Sequence, residues 1–306
     1  MPVGLPVIDA VNDAGTSVNG ANGGTSFTNV LINDTLGGLP ALIGLVTTTF
    51  VSSTHPGVTL TGTNVIVAPG TPAGNYTLTY QICQILNSSN CDIAVVTVPV
   101  AAPVINAIND TLPSSNGTSG NTNAGNVLVS NPSTLNTPDT LNGAPVLIGQ
   151  VNMTVVTPAS PLTAGALVPV LDPATGQVSV PAGTPAGNYT ITYQICEKLN
   201  PTNCDSAIVT IPVTKPVIDA VADTLPSSNG TSGNTNAGNV LVSNPTNLNT
   251  PDTLNGTAVL IGQVNMTVLT PATPLTSGAL VPVLDITTGQ VSVPAGTPAG
   301  NYTITY

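Results

Sequence analysis

The chain has 306 residues, of which 5% are charged and 3% aromatic, and its 2 Lys+Arg against 13 Asp+Glu give a net charge of -11 at pH 7. Two basic side chains cannot build the positive patch that nucleic acid or an anionic membrane surface requires, so both are excluded as partners. Hydrophobic residues make up 41% of the chain, enough to fill cores, but they are too dispersed for a membrane-spanning helix.

Recurring marker sequences divide the chain into repeats. Gly-Thr-Pro-Ala-Gly-Asn-Tyr-Thr occurs at 70–77, 183–190 and 296–303, and Pro-Val-Ile occurs at 6–8, 103–105 and 216–218. We therefore predict three tandem domains, at 1–102, 103–215 and 216–306. Residues 103–193 and 216–306 are identical at 79 of 91 positions. The third repeat stops before the segment that follows Tyr193 in the second, so we expect its C-terminal hairpin to be missing and the chain to be a section of a longer array.

The second repeat is 16 residues longer than the first, because the distance between successive Pro-Val-Ile markers grows from 97 to 113 residues. The third repeat aligns with the second without a gap over its 91 residues. The extra residues fall in two places, one after Asn126 and one between Thr157 and Gly176. Insertions of this kind belong in surface loops.

Alternation of apolar and polar residues predicts a β-hairpin at the end of the first repeat. One face of 75–83 carries Tyr76, Leu78, Tyr80 and Ile82, and one face of 91–100 carries Ala94, Val96, Val98 and Val100. A period of two residues is that of a strand with one buried face. The six tyrosines of the chain recur on this apolar face, which predicts that they lie in the core.

Val, Ile and Thr dominate throughout, and Gly, Pro and Asn interrupt the chain every eight to twelve residues. No long stretch keeps the 3.6-residue apolar period of a helix. We therefore predict an all-β protein, in which each repeat is an immunoglobulin-like β-sandwich of about seven strands. Junctions such as 98–103 and 211–216 are rich in proline, which favours tandem domains arranged end to end as a rod.

The four cysteines form two pairs with the same spacing, Cys83 with Cys91 and Cys196 with Cys204. Strand parity places both members of each pair on the outer side of the hairpin, which predicts two disulfides of about 2–3 kcal/mol each. Four buried free thiols are the alternative, whereas zinc is disfavoured because two thiolates cannot complete a tetrahedral shell. Paired cysteines indicate an extracellular setting.

Candidate catalytic residues are scarce, and we predict that the chain is not an enzyme. The single histidine, His55, lies in a turn-like segment without a counterpart in the other repeats. A general base would need a nucleophile and an orienting acid beside it. The Gly-rich segment 19–24 lacks the Lys-Ser/Thr of a phosphate-binding loop, so we interpret it as a turn.

Acidic residues recur just after each junction between repeats: Asp9, Asp13, Asp110, Asp219 and Asp223. Carboxylates in such places are candidate calcium ligands. The alternative is Asx-turn capping of the first strand, which uses the same residues without an ion. Calcium needs six to eight oxygens, and the middle copy keeps only one of the two acids. No other cofactor is expected.

The motifs resemble those of a known class of proteins. Asn12-Asp13, followed by Asn29-Val-Leu-Ile-Asn-Asp-Thr35, is similar to the signature of bacterial Ig-like and cadherin-like adhesin repeats, and the 181–205 segment resembles repeats of giant SprB-like gliding-motility adhesins of the Bacteroidota. The resemblance covers all three repeats. It implies export by type IX secretion and display on the cell surface as a long filament. Calcium dependence is in doubt, because the usual acidic run after Asn-Asp-Thr is absent.

A further resemblance concerns modification. Asp-Thr-Leu occurs five times and Asp-Ser-Ala once, and both resemble the Asp-Ser/Thr-apolar acceptor of general O-glycosylation in the Bacteroidota. The acceptors that this implies are Thr35, Thr111, Thr140, Thr224, Thr253 and Ser206. The alternative is that Asp-Thr ends a turn and starts a strand.

From these observations we predict a structural stalk segment of a secreted adhesin that serves surface attachment or gliding motility. The expected partners are neighbouring repeats of the same chain and, through parts outside this sequence, an external surface or glycan. One alternative is a module whose loops bind a glycan or a surface. Another is a self-assembling sheath protein, suggested by outward threonines such as Thr77 and Thr79.

Overall fold

The computed structural model describes residues 4–129, 137–242 and 250–306, which form strands and turns. The chain divides into two compact units, Met1–Thr214 and Lys215–Tyr306. Among the described residues, no helix has the length and apolarity needed to cross a membrane. The prediction of an all-β chain of immunoglobulin-like sandwiches is confirmed, because β-branched residues with a period of two form strands with one buried face.

The strands of the first repeat are β1 (Ile8–Asp9), β2 (Asp13–Ala14), β3 (Val18–Asn19), β4 (Gly24–Phe27), β5 (Thr35–Leu36), β6 (Leu39–Pro40), β7 (Val46–Ser53), β8 (Val58–Thr61), β9 (Asn64–Val67), β10 (Gly74–Gln84) and β11 (Asn87–Ala101).

The strands of the second repeat are β12 (Ile105–Asn106), β13 (Asp110–Thr111), β14 (Ser115–Asn116), β15 (Asn121–Asn126), β16 (Thr140–Leu141), β17 (Ala144–Pro145), β18 (Val151–Thr157), β19 (Val170–Asp172), β20 (Gln177–Val180), β21 (Gly187–Glu197) and β22 (Cys204–Thr214).

The strands of the third repeat are β23 (Ile218–Asp219), β24 (Asn234–Asn239), β25 (Thr253–Leu254), β26 (Thr257–Ala258), β27 (Val283–Asp285) and β28 (Gln290–Val293).

The first two repeats share one sheet topology. In the first, a five-stranded sheet runs β2-β11-β10-β7, with β3 also on β11, and two three-stranded sheets, β4-β9-β8 and β1-β5-β6, complete the sandwich. The second repeat has the same arrangement, with β22 and β21 in the places of β11 and β10. In both, the short N-terminal strands pair in parallel with the last strand of the repeat.

Each core lies between these sheets and contains the predicted faces of the hairpin. Leu78, Tyr80 and Ile82 of β10 have no exposed surface, and Val96 of β11 has none. Tyr76, nearer the open end, is half-buried and packs against the same core. The hairpin is therefore the central element of the repeat.

Of the two predicted insertions, one lies in the loop between β18 and β19, as expected of a surface insertion. The other includes residues 130–136, which lie outside the described residues, as do the equivalent residues 243–249 of the third repeat.

The third repeat has a partly open core. Among the described residues of this repeat, no strand corresponds to β22 of the second repeat. Tyr302, Ile304 and Tyr306 are only half-buried, whereas their equivalents in the second repeat, Tyr189, Ile191 and Tyr193, are 2%, 1% and 0% exposed.

Candidate functional site

A cluster of two aspartates and one tyrosine is buried in the first repeat. Tyr80, in the middle of β10, places its hydroxyl 3.1 Å from both carboxylate oxygens of Asp34 and 3.3 Å from Oδ2 of Asp13. The same hydroxyl lies 3.2 Å from the Val11 carbonyl and 3.0 Å from that of Val30. Asp13 begins β2 and Asp34 immediately precedes β5, so the cluster joins the two layers of the sandwich.

The same arrangement recurs in the second repeat. The Tyr193 hydroxyl lies 3.4 Å from Oδ2 of Asp110 and 3.2 and 3.1 Å from the two carboxylate oxygens of Asp139. The Ile108 carbonyl is 3.3 Å away. This recurring group of one tyrosine and two aspartates is here called the acid–tyrosine cluster.

In the third repeat the acid–tyrosine cluster consists of Tyr306, Asp223 and Asp252. The hydroxyl lies 3.1 Å from Oδ2 of Asp223 and 3.4 and 3.3 Å from the carboxylate oxygens of Asp252. Asp223 and Tyr306 are only partly buried, because the core of this repeat is partly open.

The second aspartate of each cluster also fixes the main chain at the start of its repeat. One carboxylate oxygen of Asp34 accepts the Val11 N–H at 2.7 Å, and Asp139 accepts the Ile108 N–H at the same distance. These two aspartates are 1% and 0% exposed. A buried carboxylate that bonds a distant N–H satisfies part of its own desolvation cost and anchors the N-terminal segment on the core.

The hydrogen bonding of each cluster is incomplete. Oδ1 of Asp13, of Asp110 and of Asp223 is buried without a hydrogen-bond partner. A tyrosine O–H donates only one hydrogen, yet the Tyr80 hydroxyl is surrounded by five acceptor oxygens. A carboxyl group that takes up a proton becomes a hydrogen-bond donor and loses its negative charge. The protonated cluster therefore has a second donor for its many acceptor oxygens, and it buries one charge fewer.

The pKa values of the buried carboxyl groups agree with the uptake of this additional proton. Burial raises the pKa of Asp13 to about 6 and that of Asp139 to about 6, and burial together with the neighbouring Asp139 raises the pKa of Asp110 to about 7. The pKa of Asp34 is also raised by burial. The pKa of Tyr193 is raised by burial and by the two carboxylates, so its hydroxyl stays a donor. The folded clusters therefore take up protons at mildly acidic pH.

The calcium hypothesis concerns Asp9, Asp13, Asp110, Asp219 and Asp223. Of these, Asp13 and Asp110 are buried in the acid–tyrosine clusters and Asp223 is half-buried in one, whereas Asp9 and Asp219 are exposed. Across 4–129, 137–242 and 250–306, no three His, Cys, Asp or Glu side chains form a group that could hold a metal ion.

The donor set of the cluster does not fit calcium. This ion needs six to eight oxygens at 2.3–2.6 Å, and in each cluster the oxygens surround the tyrosine hydroxyl. The two carboxylates suit a shared proton better than a large cation.

The two disulfides lie on the outer side of the hairpins. Cys83 is opposite Cys91 in the β10–β11 ladder and bonded to it, and Cys196 is likewise opposite and bonded to Cys204. The strand parity of the sequence predicts this pairing. All four cysteines are half-buried, so each bridge closes the hairpin near its tip without entering the core.

The six glycosylation candidates have different exposures. Ser206, Thr111 and Thr224 are exposed, whereas Thr35, Thr140 and Thr253 are half-buried. Their modification stays a prediction. The aspartates of all five Asp-Thr-Leu motifs belong to acid–tyrosine clusters, and this gives the recurrence of the motif a structural cause.

His55 has a structural position beside the first core. Its ring centroid lies 4.9 Å from that of Tyr76, and its Nδ1 accepts the Gly57 N–H at 3.0 Å. The ring is half-buried and supports the turn before β8.

No family model and no curated protein matches the chain. Among solved structures, mouse cadherin-23 EC22-24 is similar at 14% identity and a TM-score of 0.34, over 96% of this chain and 89% of that one.

Two further solved structures are similar at comparable levels. Protocadherin Gamma B2 extracellular cadherin domains 3-6 match at 12% identity and a TM-score of 0.29, over 69% of this chain, which spans 52% of the length of that one. A SusE-like surface-located polysaccharide-binding protein from Bacteroides thetaiotaomicron matches at 12% identity and a TM-score of 0.24, over 76% of this chain and 38% of that one.

Sequence reasoning missed the most distinctive residues of the site. It named Asp13, Asp110 and Asp223 as calcium candidates or as Asx-turn caps, and it placed the tyrosines in the core without a role for their hydroxyls. The available signal was that an Asp-Thr-Leu motif and a buried-face tyrosine recur together in every repeat.

Proposed function

We propose that the chain is a structural segment of a secreted cell-surface adhesin, a spacer that holds an adhesive part away from the cell and catalyses no reaction. The observation that carries this proposal is the parallel pairing of β2 and β3 with β11, and of β13 and β14 with β22. The chain enters such a repeat beside its last strand and leaves it at the opposite end. Tension along the chain therefore shears several backbone hydrogen bonds at once.

Two other features support a load-bearing role. Each hairpin of the first two repeats is closed by a disulfide, which limits how far an opened repeat can extend. Disulfides persist in oxidising environments, which supports an extracellular location for the segment.

The finer assignment is surface attachment or gliding motility after type IX secretion, and it rests on the resemblance of the repeat motifs to gliding-motility adhesins. Beads coated with antibodies against this chain would test it on living cells that display the chain. Directed bead movement along the cell supports gliding, whereas stationary beads on motile cells limit the role to attachment.

Binding by the repeats themselves is the main alternative, and one experiment separates it from a spacer. The purified chain is applied to a glycan array and to polystyrene and glass surfaces, beside a variant with Thr77 and Thr79 changed to Ser as a matched surface control. The spacer proposal predicts signals at background for both proteins. Specific glycan binding by the unmodified chain would overturn the proposal and favour a binding module.

A further inference from the structure

We propose that the tip of the β21–β22 hairpin is a docking element that fixes the second repeat on the first, and that its partner is the Thr-Pro-Ala-Gly turn of the first repeat. The tip, residues 197–203, is here called the docking tip, and the partner turn is 71–74. Both lie within the compact unit Met1–Thr214. The inference goes beyond the spacer function and does not depend on it, because a fixed joint also suits repeats that bind a glycan.

One hydrogen bond joins the docking tip to the turn. Asn200 Oδ1 accepts the Ala73 N–H at 2.6 Å, across 127 positions of the chain. Asn200 is only 9% exposed, although it lies in a hairpin turn. Ala73 is itself an exposed residue, and among the residues that the structure describes its N–H has no other acceptor. The protection of this N–H from exchange therefore reports on the joint.

The buried side chain of Glu197 orients the amide of Asn200. Glu197 is 2% exposed, and its Oε2 accepts from Asn200 Nδ2 at 2.7 Å and from Asn203 Nδ2 at 3.2 Å. A carboxylate accepts only from the nitrogen end of an amide, so the oxygen end of Asn200 faces the first repeat. The docking tip thus presents an acceptor, and a turn with an unpaired backbone N–H is the complementary partner.

Bonds within the second repeat hold the docking tip in this shape. The Asn203 N–H donates to the Asn200 carbonyl at 2.8 Å and closes a turn, which has Pro201 at its second position, where proline is favoured. The Cys196–Cys204 disulfide closes the loop from both sides. Such a rigid element loses little conformational entropy on contact, so few hydrogen bonds are needed to stabilise the joint.

A second contact and a short linker complete the joint. The Oδ1 atom of Asn142, in the β16–β17 turn, accepts from Asn19 Nδ2 at 3.0 Å and from the Val104 N–H at 3.1 Å. Only three residues connect β11 to β12, and among them the Pro103 carbonyl accepts from Asn203 Nδ2 at 2.8 Å. The linker alone would leave the second repeat free to rotate, whereas two further contacts at separate points fix its orientation.

The sequence repeats both parts of the joint. Thr-Pro-Ala-Gly occurs once in each repeat, at 71–74, 184–187 and 297–300. Each of the two cysteine-closed hairpins carries Asn at the fourth and seventh positions after its first cysteine, as Asn87 and Asn90 and as Asn200 and Asn203. The Asn90 amide donates to Gln84 Oε1 at 3.1 Å, as that of Asn203 donates to Glu197. Tip and turn are therefore matched elements of the repeat.

Hydrogen exchange of the isotope-labelled full chain, followed by NMR, tests the proposal with the Ala73 amide as reporter. This exposed amide should exchange slowly in the unmodified chain. Asn200→Ala should speed its exchange about fivefold or more, the effect of losing one hydrogen bond. The matched control is Asn87→Ala, which removes the equivalent amide from the first hairpin, where its oxygen accepts from the Ser89 N–H and hydroxyl. This control should leave the exchange of Ala73 unchanged.

Residual dipolar couplings of the same samples measure the orientation of the two repeats. The couplings of both repeats should fit one alignment tensor in the unmodified chain and should need two in Asn142→Ala/Asn200→Ala. Protected β21 amides will show that the variant is folded. If they are unprotected, Ala73→Pro removes the partner N–H from the first repeat instead, and Ala186→Pro makes the same change in the equivalent turn of the second. Ala73→Pro should then give two tensors and Ala186→Pro one.

Several outcomes would overturn the proposal. Rapid exchange of Ala73 in the unmodified chain, or equal effects of Asn200→Ala and Asn87→Ala, would show that the docking tip does not bind the turn. One tensor retained by the folded double variant would show that the linker alone fixes the orientation. A chelator such as EDTA should change none of these results, and loss of Ala73 protection in EDTA would refute a joint made of direct amide hydrogen bonds.

Discussion

At the scale of single residues, the acid–tyrosine cluster places a proton-binding group in the core of every repeat. A carboxyl group whose pKa is higher in the folded than in the unfolded chain stabilises the fold fully below the unfolded pKa. That stabilisation is lost as the pH rises through the folded pKa. For Asp110, with a folded pKa of about 7 against 3.8 for the free group, the window runs from about pH 4 to pH 7. The clusters thus make the repeats more stable in mild acid.

Asp110→Asn tests this contribution in the second repeat. The titratable groups that face Asp110 are Asp139 and Tyr193, and the more distant Asp205 acts on Asp139. The free energy of unfolding of the unmodified repeat should fall by up to about 1.4 kcal/mol per pH unit for each raised carboxyl. In the variant this slope should be shallower between pH 4 and 7, as measured by scanning calorimetry at several pH values.

Asp172→Asn is the control, because Asp172 is exposed and hydrogen bonds from the Thr175 side chain and the Ala174 N–H lower its pKa. Its loss should not reduce the slope. An Asp110→Asn profile parallel to that of the unmodified chain would show that the buried carboxyl holds no proton.

Tyr193→Phe removes the only hydroxyl of the second cluster. The expected loss is about 1–3 kcal/mol in the free energy of unfolding, because two carboxyl groups lose a buried donor. The loss should be larger at pH 8, where both carboxyls are ionised, than at pH 5. Urea denaturation followed by circular dichroism measures it.

The matched variant is Tyr189→Phe, which removes a single hydroxyl that donates to the Pro185 carbonyl at 2.8 Å. This change should cost about 0.5–1.5 kcal/mol and should not vary with pH. If both variants lose the same stability at both pH values, the Tyr193 hydroxyl has no special relation to the acids.

At the scale of elements, the disulfide-closed hairpin is the central unit of each complete repeat. Cys196→Ser/Cys204→Ser should lower the free energy of unfolding of the second repeat by about 2–3 kcal/mol, because the short closed loop no longer restricts the unfolded chain. Calorimetry should show one transition shifted to lower temperature.

The first repeat, which keeps Cys83–Cys91, is the internal reference for that experiment and its transition should stay in place. An unshifted transition for the second repeat would mean that the bridge contributes nothing to stability.

The hairpin strands and disulfides could be predicted from the sequence, because they depend on residues close together in the chain and on a clear period of two. Two-residue strands such as β1 and β5 are too short to show such a period. The acid–tyrosine cluster joins Tyr80 to residues 46 and 67 positions away. A local pattern contains no information on contacts at that separation, so the aspartates suggested calcium or modification sites instead.

At the scale of the whole molecule, the repeats differ in how their first and last strands are joined. Val18 pairs with Val100 and Ser115 with Val213 in parallel register, so each of the first two repeats ties its chain entry to its last strand. Among the described residues of the third repeat, no strand corresponds to that last strand. For a chain that works as a mechanical spacer, we expect the two repeats with this parallel pairing to unfold at higher force than the third repeat.

Pulling single molecules by their two ends with an atomic force microscope tests the load-bearing claim most directly. We predict two high-force unfolding events, one for each disulfide-closed repeat, and a third event at clearly lower force. Reduction of the disulfides should increase the chain length released in each high-force event. The increase should be about 3.6 Å for each residue between the two bonded cysteines. Extension without two distinct high-force events would contradict the assignment of this chain as a mechanical spacer.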